Sequence, residues 1–362
     1  MRVPQHRSRS GSRNRPHPNP LPEGEGAIDA AVHITRPRLL AGLAVAVALL
    51  FCASLAAGEV AIPIVPALAD LWSGRDSPGA MILRDLRLPR AILAVLVGGA
   101  LGLTGAAMQG LLRNPLAEPG VLGVSGFAAF GAVLAFYSGW SAAVPLALPL
   151  GGIAGAFVAV LLLYGLAGRG AGLLTLLLAG AALNSLAGAL VALALNLAPS
   201  PYALYEILFW LMGSLTDRSM LHVALALPGV AIGAALLLSG RRALDALSLG
   251  EDAATSLGFA LGAVRLRLVV GSALAVGAAV AVSGAIGFIG LVVPHLVRPL
   301  AGRLPGEILL PSALAGAALL LAADIAVRVV PTGSELKLGV LTAIIGAPFF
   351  LALVLRLRRE EA

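Results

Sequence analysis

Charged residues are scarce in this chain. Only 12% of its 362 residues are Asp, Glu, Lys or Arg, whereas 59% are hydrophobic and 5% are aromatic. A soluble domain carries about 25% charged residues, and a mean hydropathy of +0.96 is too high for a surface that faces water. The composition therefore excludes a soluble protein and predicts that lipid is the solvent for most of the chain.

Residues that carry chemistry are equally rare. The single cysteine, Cys52, excludes a disulfide within the chain, and the five histidines are scattered. The only lysine, Lys337, has no glycine-rich loop before it, so the chain lacks the GxxxxGK[ST] sequence that binds ATP phosphates. We therefore predict no catalytic residue, no metal site and no cofactor bound by this chain, and we do not expect an enzyme.

What the chain has in abundance is long apolar runs. Between Glu118 and Glu206 the only charged residue is Arg169, and a membrane span needs about 20 mostly apolar residues. The uncharged run 268–297 is long for one span and short for two, so we place a turn at 283–287. The pattern predicts an all-α integral membrane protein with ten transmembrane helices, at 39–57, 88–112, 120–138, 144–167, 172–197, 219–240, 264–283, 286–301, 307–330 and 338–356.

Residues 1–38 differ from the rest of the chain. They are rich in Arg, Ser and Pro and have no apolar period, which predicts a disordered tail. Two alternatives stay open: the apolar run 39–57 is a cleaved signal segment that ends at Gly58, or the start of translation is wrongly assigned. The rest of the chain is predicted to form one transmembrane domain at 39–357, followed by a short cytoplasmic C-terminus at 358–362.

The distribution of basic residues between the two sides of the membrane predicts the orientation of these helices. With both termini in the cytoplasm, 18 of the 25 basic residues fall on the inner side and 7 on the outer side. Because basic loops favour the cytoplasmic side, we predict a multi-pass protein of the bacterial cytoplasmic (inner) membrane, with both termini inside and with no nucleic-acid partner. A weak similarity between 87–116 and 265–300, which enter from opposite sides, indicates an inverted internal repeat.

Three segments are too polar or too patterned to be simple membrane-spanning sequence. Residues 109–120 are either a helix stop, with an Asn-Pro and a Glu-Pro-Gly, or the mouth of a transport pathway. Residues 287–298 include His295, which is either a ligand or a structural residue that forms a hydrogen bond.

The third segment, 247–258, lies between the sixth and seventh predicted helices. Ser248 can cap a short helix that carries Glu251 and Asp252 in its first turn and stops at Gly258. A short amphipathic helix can lie on lipid, but an acidic start does not suit an anionic membrane surface. Docking onto a partner protein explains the pattern better.

In this order and spacing, the three segments resemble the signature regions of the iron-siderophore and cobalamin ABC-importer permease family (FecCD-type). RLPR at Arg87–Arg90, LPSALAGAALLLAADIAVR at 310–328 and GVLTAIIGAPFF at 339–350 extend the resemblance over about residues 80–356. It implies a type II ABC importer permease with ten helices in each of two subunits, which form a homodimer or a heterodimer. It also implies two ATP-binding subunits that use ATP-Mg, an extracytoplasmic substrate-binding protein, and membrane lipid as surroundings.

The resemblance assigns roles to individual residues. The coupling segment, 243–260, is expected to contact the ATP-binding subunit through Leu249, Gly250, Glu251, Ala254, Leu257 and Gly258. Docking of the binding protein falls to Arg87, Arg90 and Arg328. Alternatively, Asp324 and Arg328, four residues apart on one helix, form a structural ion pair. The pathway and its cytoplasmic gate are expected at Gln109, Asn114, Leu116, Leu173 and Leu174.

These roles predict the import of an iron chelate, a ferric siderophore, by alternating access driven by ATP hydrolysis in the partner. Cobalamin or heme import by the same machinery is an alternative, although Leu173 and Leu174 are more apolar than the pair we expect in a cobalamin permease. An ion-coupled secondary transporter is another. It needs ionisable groups at mid-membrane, and the sequence offers only Asp324 and Glu206, both near the outer end of a helix.

Overall fold

The computed structural model describes residues 36–58, 60–140, 144, 146–168, 172–302, 304–330 and 336–361. Within these ranges, every regular element is a helix. The predicted tail at 1–38 lies outside the described residues except for its last three, which begin the first helix. At the other end, the last helix continues to Glu361, so most of the C-terminal segment predicted at 358–362 is helical.

Long helices alternate with short ones along the chain. In chain order, the helices are α1 Arg36–Ala56, α2 Ile64–Trp72, α3 Pro78–Leu112, α4 Val124–Tyr137, α5 Ala147–Ala167, α6 Leu173–Asn196, α7 Pro201–Leu211, α8 Met220–Ser239, α9 Arg241–Leu247, α10 Glu251–Ser256, α11 Leu261–Ser283, α12 Ile289–Ala301, α13 Pro305–Val329 and α14 Leu338–Glu361. Within α3, residues Ile82–Arg87 are π-helical, and a 3-10 turn at Pro119–Leu122 precedes α4.

The ten predicted transmembrane helices all appear. In the part of the chain that the structure describes, eight helices are long and apolar enough to cross a membrane, and α4 and α12 are shorter apolar helices. This confirms the predicted fold class; the inverted repeat stays a prediction. The uncertain turn falls after Ser283, where Gly284 has a φ of +70°, a conformation that favours glycine.

The prediction missed the short helices α2, α7 and α9, because a search for membrane spans treats such segments as loops. It also began α3 ten residues too late. The sequence does mark the starts of α3 and α7, where a serine at the N-cap precedes a proline at the first helical position. The hydroxyl of Ser77 accepts the N–H of Ala80 at 3.2 Å, and the hydroxyl of Ser200 accepts the N–H of Ala203 at 3.2 Å.

Helices α3 and α11 form the centre of the bundle. In the most apolar 18-residue stretch of each of these helices, 78% of the residues are buried, compared with 11% in α1. Small residues explain how α3 is enclosed, because a Cβ added to Gly98 or Gly102 would overlap the backbone of Gly316 or Ser312 in α13. Such contact between backbones is how helices pack in lipid, where no hydrophobic effect drives them together.

The two ends of the helical bundle are named after residues in or next to α3. Arg87 lies in the first third of helix α3, and the helix stops at Leu112, just before Asn114. We call these two faces of the bundle the Arg87 end and the Asn114 end. The first span, α1, finishes at the Arg87 end, because its last carbonyls are bonded to Arg87.

The crossing of α3 and α13 can be tested with one added methyl group. Gly102→Ala should lower the stability of the folded protein by about 1–3 kcal/mol, because the new Cβ meets backbone that cannot move aside. Gly99→Ala is the matched control, since a Cβ there is 3.5 Å from the carbonyl oxygen of Ala313, an ordinary contact. Thermal unfolding in mild detergent measures both, and equal midpoints for the two variants would contradict the assigned crossing.

Candidate functional sites at the two ends of the bundle

The predicted coupling segment is a helical hairpin formed by α9 and α10 between the spans α8 and α11. Two large apolar side chains stand at its tips, since Leu249 is 71% exposed and Leu257 is 63% exposed. Gly250 (φ +111°) and Gly258 (φ +87°) bound α10 in conformations that other residues rarely adopt. The hairpin therefore displays apolar surface on a defined backbone.

One detail of the prediction for this hairpin was wrong. The hydroxyl of Ser248 donates to the carbonyl of Asp245 at 2.6 Å, so it closes the end of α9 instead of capping α10. The N-cap of α10 is Gly250. Glycine at this position supplies the sharp turn between the two helices, which a serine cap would not provide.

Contacts behind the hairpin fix it to two spans. Glu251 Oε1 lies 2.7 Å from Arg265 Nη2 at the start of α11, and Asp245 Oδ1 accepts the N–H of Gly306 at 2.6 Å in the first turn of α13. A carboxylate at a helix N-terminus is favoured by the helix dipole and by the free N–H groups there. Sequence reasoning missed Asp245, since only the fold brings it to α13, 61 residues away.

These contacts revise the list of coupling residues. Ala254 is fully buried, so it supports the hairpin from inside and cannot contact a partner, contrary to the prediction. Glu251 pairs with Arg265, and its side chain is still 39% exposed. Leu249, Glu251, Leu257 and the two glycines remain as the outward surface, and their contact with an ATP-binding subunit stays a prediction.

A cavity of about 750 Å³ opens at the Asn114 end. Gln109 is buried in its wall, where its side-chain amide donates to the carbonyl of Leu291 at 3.3 Å and accepts a bond from Arg298 Nη2 at 3.0 Å. No acidic residue lines the described wall, which includes Gln109, Arg113, Asn114, Ser248, His295 and Arg298. The polar and positively charged wall distinguishes this cavity from the apolar bundle around it.

The structure brings together only part of the predicted pathway set. Gln109 and Asn114 share the cavity, and Leu116 is fixed beside it because its N–H donates to Asn114 Oδ1 at 2.9 Å. Leu173 and Leu174 begin α6 and are not among the lining residues of this cavity; Leu174 is 69% exposed. Their role as a gate stays a prediction.

At the opposite end, two arginines hold the C-terminus of α1. Arg87 donates to the carbonyls of Leu55 and Ala56 at 2.8 Å and to that of Val60 at 2.6 Å. Arg328 donates to the carbonyls of Ser54 and Ala57, both at 2.9 Å. The last carbonyls of a helix have no partner within the helix and carry partial negative charge. The guanidinium groups donate hydrogen bonds to these carbonyls and neutralise their partial negative charge, so these arginines hold α1 against the bundle.

Asp324 joins this network as a fully buried carboxylate. Its Oδ1 accepts a hydrogen bond from Arg90 Nε at 2.8 Å. Its Oδ2 lies 2.9 Å from Arg328 Nη2, close enough for an ion pair but not aligned as a hydrogen bond. The side chains of Arg90 and Arg328 are only 14% and 8% exposed. Asp324 and Arg328 thus make the contact expected of the structural pair, and the docking role of the arginines stays a prediction.

A second cavity, of about 360 Å³, lies against this network. Four arginines and one aspartate supply its charged lining: Arg87, Arg90, Arg218, Arg328 and Asp217. Among the described residues, Nε of Arg218 is buried without a hydrogen-bond partner, and burial lowers the pKa of its guanidinium. Arg218 was not singled out from the sequence, because a lone arginine in a loop looks like a topology signal.

A comparison with family models decides the class of this protein. The model of the FecCD transport family matches residues 46–356, which is most of the chain. The chain belongs to the FecCD transport family. The family assignment confirms the predicted resemblance, and its members are transport components rather than enzymes.

Individual relatives agree with the assignment. The vitamin B12 import system permease protein BtuC of Salmonella typhimurium is 41% identical over 325 residues, covering 89% of this chain and 96% of the relative. The ABC transporter permease protein YvrB of Bacillus subtilis, which is uncharacterized, is 38% identical over 315 residues, covering 83% of this chain and 89% of the relative.

A solved structure extends the agreement to three dimensions. A transporter assigned to the metal-chelate type of ABC transporters, in an inward-facing conformation, matches with a TM-score of 0.79 and 32% identity, covering 88% of this chain and 99% of that one. The protein is therefore an ABC importer permease of the metal-chelate and cobalamin family. Such a permease works with ATP-binding and substrate-binding components.

The buried carboxylate at the Arg87 end offers a quantitative test. Asp324→Asn keeps the size of the side chain but leaves Arg90 and Arg328 buried beside each other without a counter-charge. We expect a loss of about 3–5 kcal/mol in stability, the usual cost of breaking a buried pair. Asp85→Asn is the control, because Asp85 pairs with Arg84 on the surface and such pairs contribute about 0–1 kcal/mol.

Thermal unfolding in detergent measures both variants. A D324N protein as stable as the wild type would remove the structural role from Asp324. If that stable variant also bound an ATPase yet had lost uptake, the carboxylate would belong to an ion-coupled mechanism instead.

Proposed function

We propose that this chain is the membrane subunit of an ATP-driven importer that carries an iron chelate, a ferric siderophore, into the bacterial cytoplasm. In this assignment the Asn114 end faces the cytoplasm and the Arg87 end faces outward. The distribution of basic residues supports the orientation, with 18 of 25 on the inner side. Two copies, or this chain and a related permease, enclose the pathway, and two ATP-binding subunits attach below.

One observation carries the proposal: the hairpin formed by α9 and α10 presents Leu249 and Leu257 to the surroundings on a backbone that its inner contacts fix. Exposed leucines on a polar connection between spans need a protein partner, because their apolar surface is otherwise left in water. An ATP-binding subunit on the cytoplasmic side is the partner that this family provides. Hydrolysis of ATP-Mg takes place in that subunit.

The inner contacts of the hairpin also suggest how movement is transmitted. Closure of the ATP-binding subunits displaces the hairpin, and the Glu251–Arg265 pair carries the displacement to α11. The bond between Asp245 and Gly306 carries it to α13. Because both spans pack against α3, the helices move together and alternate the access of the pathway between the two sides.

On this proposal, the cavity at the Asn114 end belongs to the cytoplasmic mouth of the pathway. Gln109 and Asn114 give the cavity polar groups. Leu116, Leu173 and Leu174 form the gate that narrows the pathway in its closed state. A large chelate must leave without being held tightly, so a few polar groups in an apolar wall suit the task better than a dense ligand set.

Cobalamin is the second candidate substrate. The similarity to BtuC, a vitamin B12 permease, favours it. The apolar pair Leu173 and Leu174, where we expect polar residues in a cobalamin permease, weighs against it. Direct competition decides: cells that depend on this chain should take up radioactive iron from a ferric siderophore, and excess cobalamin should leave that uptake unchanged. Uptake of labelled cobalamin instead would replace the siderophore by the second candidate.

The partnership with an ATPase is tested by affinity purification of the full chain from its native membrane in mild detergent. We expect an ATP-binding subunit carrying a P-loop in about equal amount. Replacing Leu249 and Leu257 by alanine should reduce its recovery about tenfold or more, because these side chains form the centre of the contact. Leu221→Ala is the control, since Leu221 is 50% exposed at the other end of the bundle.

A homogeneous preparation with no ATPase, still active in ion-driven uptake, would overturn the importer proposal. Unchanged recovery after the double substitution would retain the importer but remove the hairpin as its coupling surface.

A further inference from the structure

The cavity at the Asn114 end has the size of a binding site for a small molecule. Its volume is about 750 Å³, and sites for ligands and cofactors typically occupy about 300–1,000 Å³. The wall combines apolar side chains, among them Ile308 and Leu353, with two arginines, Arg113 and Arg298. Such a wall can surround the organic part of a ligand, so the charge of the ligand decides how well it is accepted.

Arg113 occupies a position where a helix normally has glycine. Its φ of +47° is left-handed, and the N–H of Asn114 donates to the carbonyl of Gln109 at 3.2 Å, which closes α3 as a Schellman motif. A side chain in this conformation carries a steric cost that glycine avoids. The helix could end in the same way with glycine, so the presence of arginine indicates a role for its side chain in the cavity wall.

Arg298 is held in the wall by a buried amide. Gln109 is 3% exposed. Its Oε1 accepts a hydrogen bond from Arg298 Nη2 at 3.0 Å, and its Nε2 donates to the carbonyl of Leu291 at 3.3 Å. Because an amide is neutral, this bond orients the guanidinium group without neutralising its charge. A guanidinium group has five N–H donors, and the bond to Gln109 uses one of them.

The described part of the cavity wall supplies no counter-charge to these arginines. Two carboxylates that approach the start of α13 are engaged elsewhere, since Asp245 accepts the N–H of Gly306 and Glu307 lies 3.9 Å from Arg36. Glu118, in the loop after α3, is not among the lining residues. A cleft with one sign of charge and low-dielectric walls focuses its field on what enters it. The cavity therefore favours an anion over a neutral molecule of the same size.

We propose that Arg113 and Arg298 select the imported chelate by its charge, so that the substrate is an anionic iron complex. Iron(III) held by three catecholate groups is a trianion, whereas iron(III) held by three hydroxamate groups is neutral. The first class is attracted by the positive cavity on its way to the cytoplasm, and the second is not. The inference rests on the proposed function, because it narrows the class of chelate that the importer carries.

Equilibrium binding to the purified transporter tests this selection. The permease and its ATP-binding subunits are reconstituted in a nanodisc of neutral lipid, without nucleotide and without a substrate-binding protein. Radioactive iron is offered as the tricatecholate or as the trihydroxamate complex. We expect the tricatecholate complex to bind at least about tenfold more tightly at low ionic strength, and added salt to reduce the difference.

Substitution of Arg113 separates its charge from its place in the fold. Arg113→Gln should weaken binding of the tricatecholate complex about tenfold at low ionic strength, the effect of removing one charge beside a trianion. Arg113→Lys should retain most of the binding, because it keeps the charge.

Arg267→Gln is the matched control. Arg267 is an exposed arginine in the first two turns of α11 and is not among the lining residues of the cavity. Its removal changes the net charge of the protein by the same amount, so the variant should bind the complex as the wild type does. Equal losses for Arg113→Gln and Arg267→Gln would reduce the effect to general surface charge and overturn the proposal.

Several other results would also contradict the proposal. These are equal binding of the two complexes, binding of neither, and unchanged binding after Arg113→Gln. Displacement of the tricatecholate complex by inorganic phosphate at constant ionic strength would assign the cavity to free phosphate. Displacement by anionic lipid in the nanodisc would assign it to a lipid headgroup.

The proposed function is tested separately from this selection. Equal uptake of iron from both complexes by cells that depend on this chain would retain the importer and remove only the selection by charge. Absence of an ATPase from the affinity purification would count against the importer itself.

Discussion

The structure depends on the backbone contact between α3 and α13. Gly98 and Gly102 meet Ser312 and Gly316 with no room for a side chain, and in lipid this close packing replaces the hydrophobic effect. Everything else is arranged around the crossing. Because α3 is enclosed on nearly all sides, polar groups such as Gln109 can be buried at its end and paired there.

Helix α13 connects the two functional ends of the molecule. Its first turn receives Asp245 from the hairpin, and its last turns carry Asp324 and Arg328, which hold Arg90 and the C-terminus of α1. The glycine crossing lies between these two contacts. A shift of α13 along its axis would therefore be felt by the coupling hairpin and by the arginine network together. No intermediate relay of side chains is needed, since a packed helix moves as one body.

The sequence was sufficient for the spans but not for the contacts between them. Apolar runs of about 20 residues identify membrane helices directly, and Gly258 marked the end of the short helix α10 through local turn chemistry. Ser248 was misjudged because its hydroxyl bonds the nearby carbonyl of Asp245 at the end of α9 and so does not cap α10. Ala254 was misjudged because its burial comes from packing between helices. Asp245 and Arg218 were missed because the sequence around an isolated charge in a connection does not show whether the fold will leave it in solvent or enclose it.

The shortness of α12 has a consequence for how the protein is made. Its 13 residues extend about 20 Å, too little to cross the hydrocarbon region alone. Gly290 packs against the backbone of Gly105, and the bond from Arg298 to Gln109 is also to α3. The segment becomes stable in the membrane only when α3, made nearly two hundred residues earlier, is available to receive it. Biogenesis therefore cannot proceed strictly one span at a time, because α12, the eighth of the ten spans, needs a tertiary contact with α3.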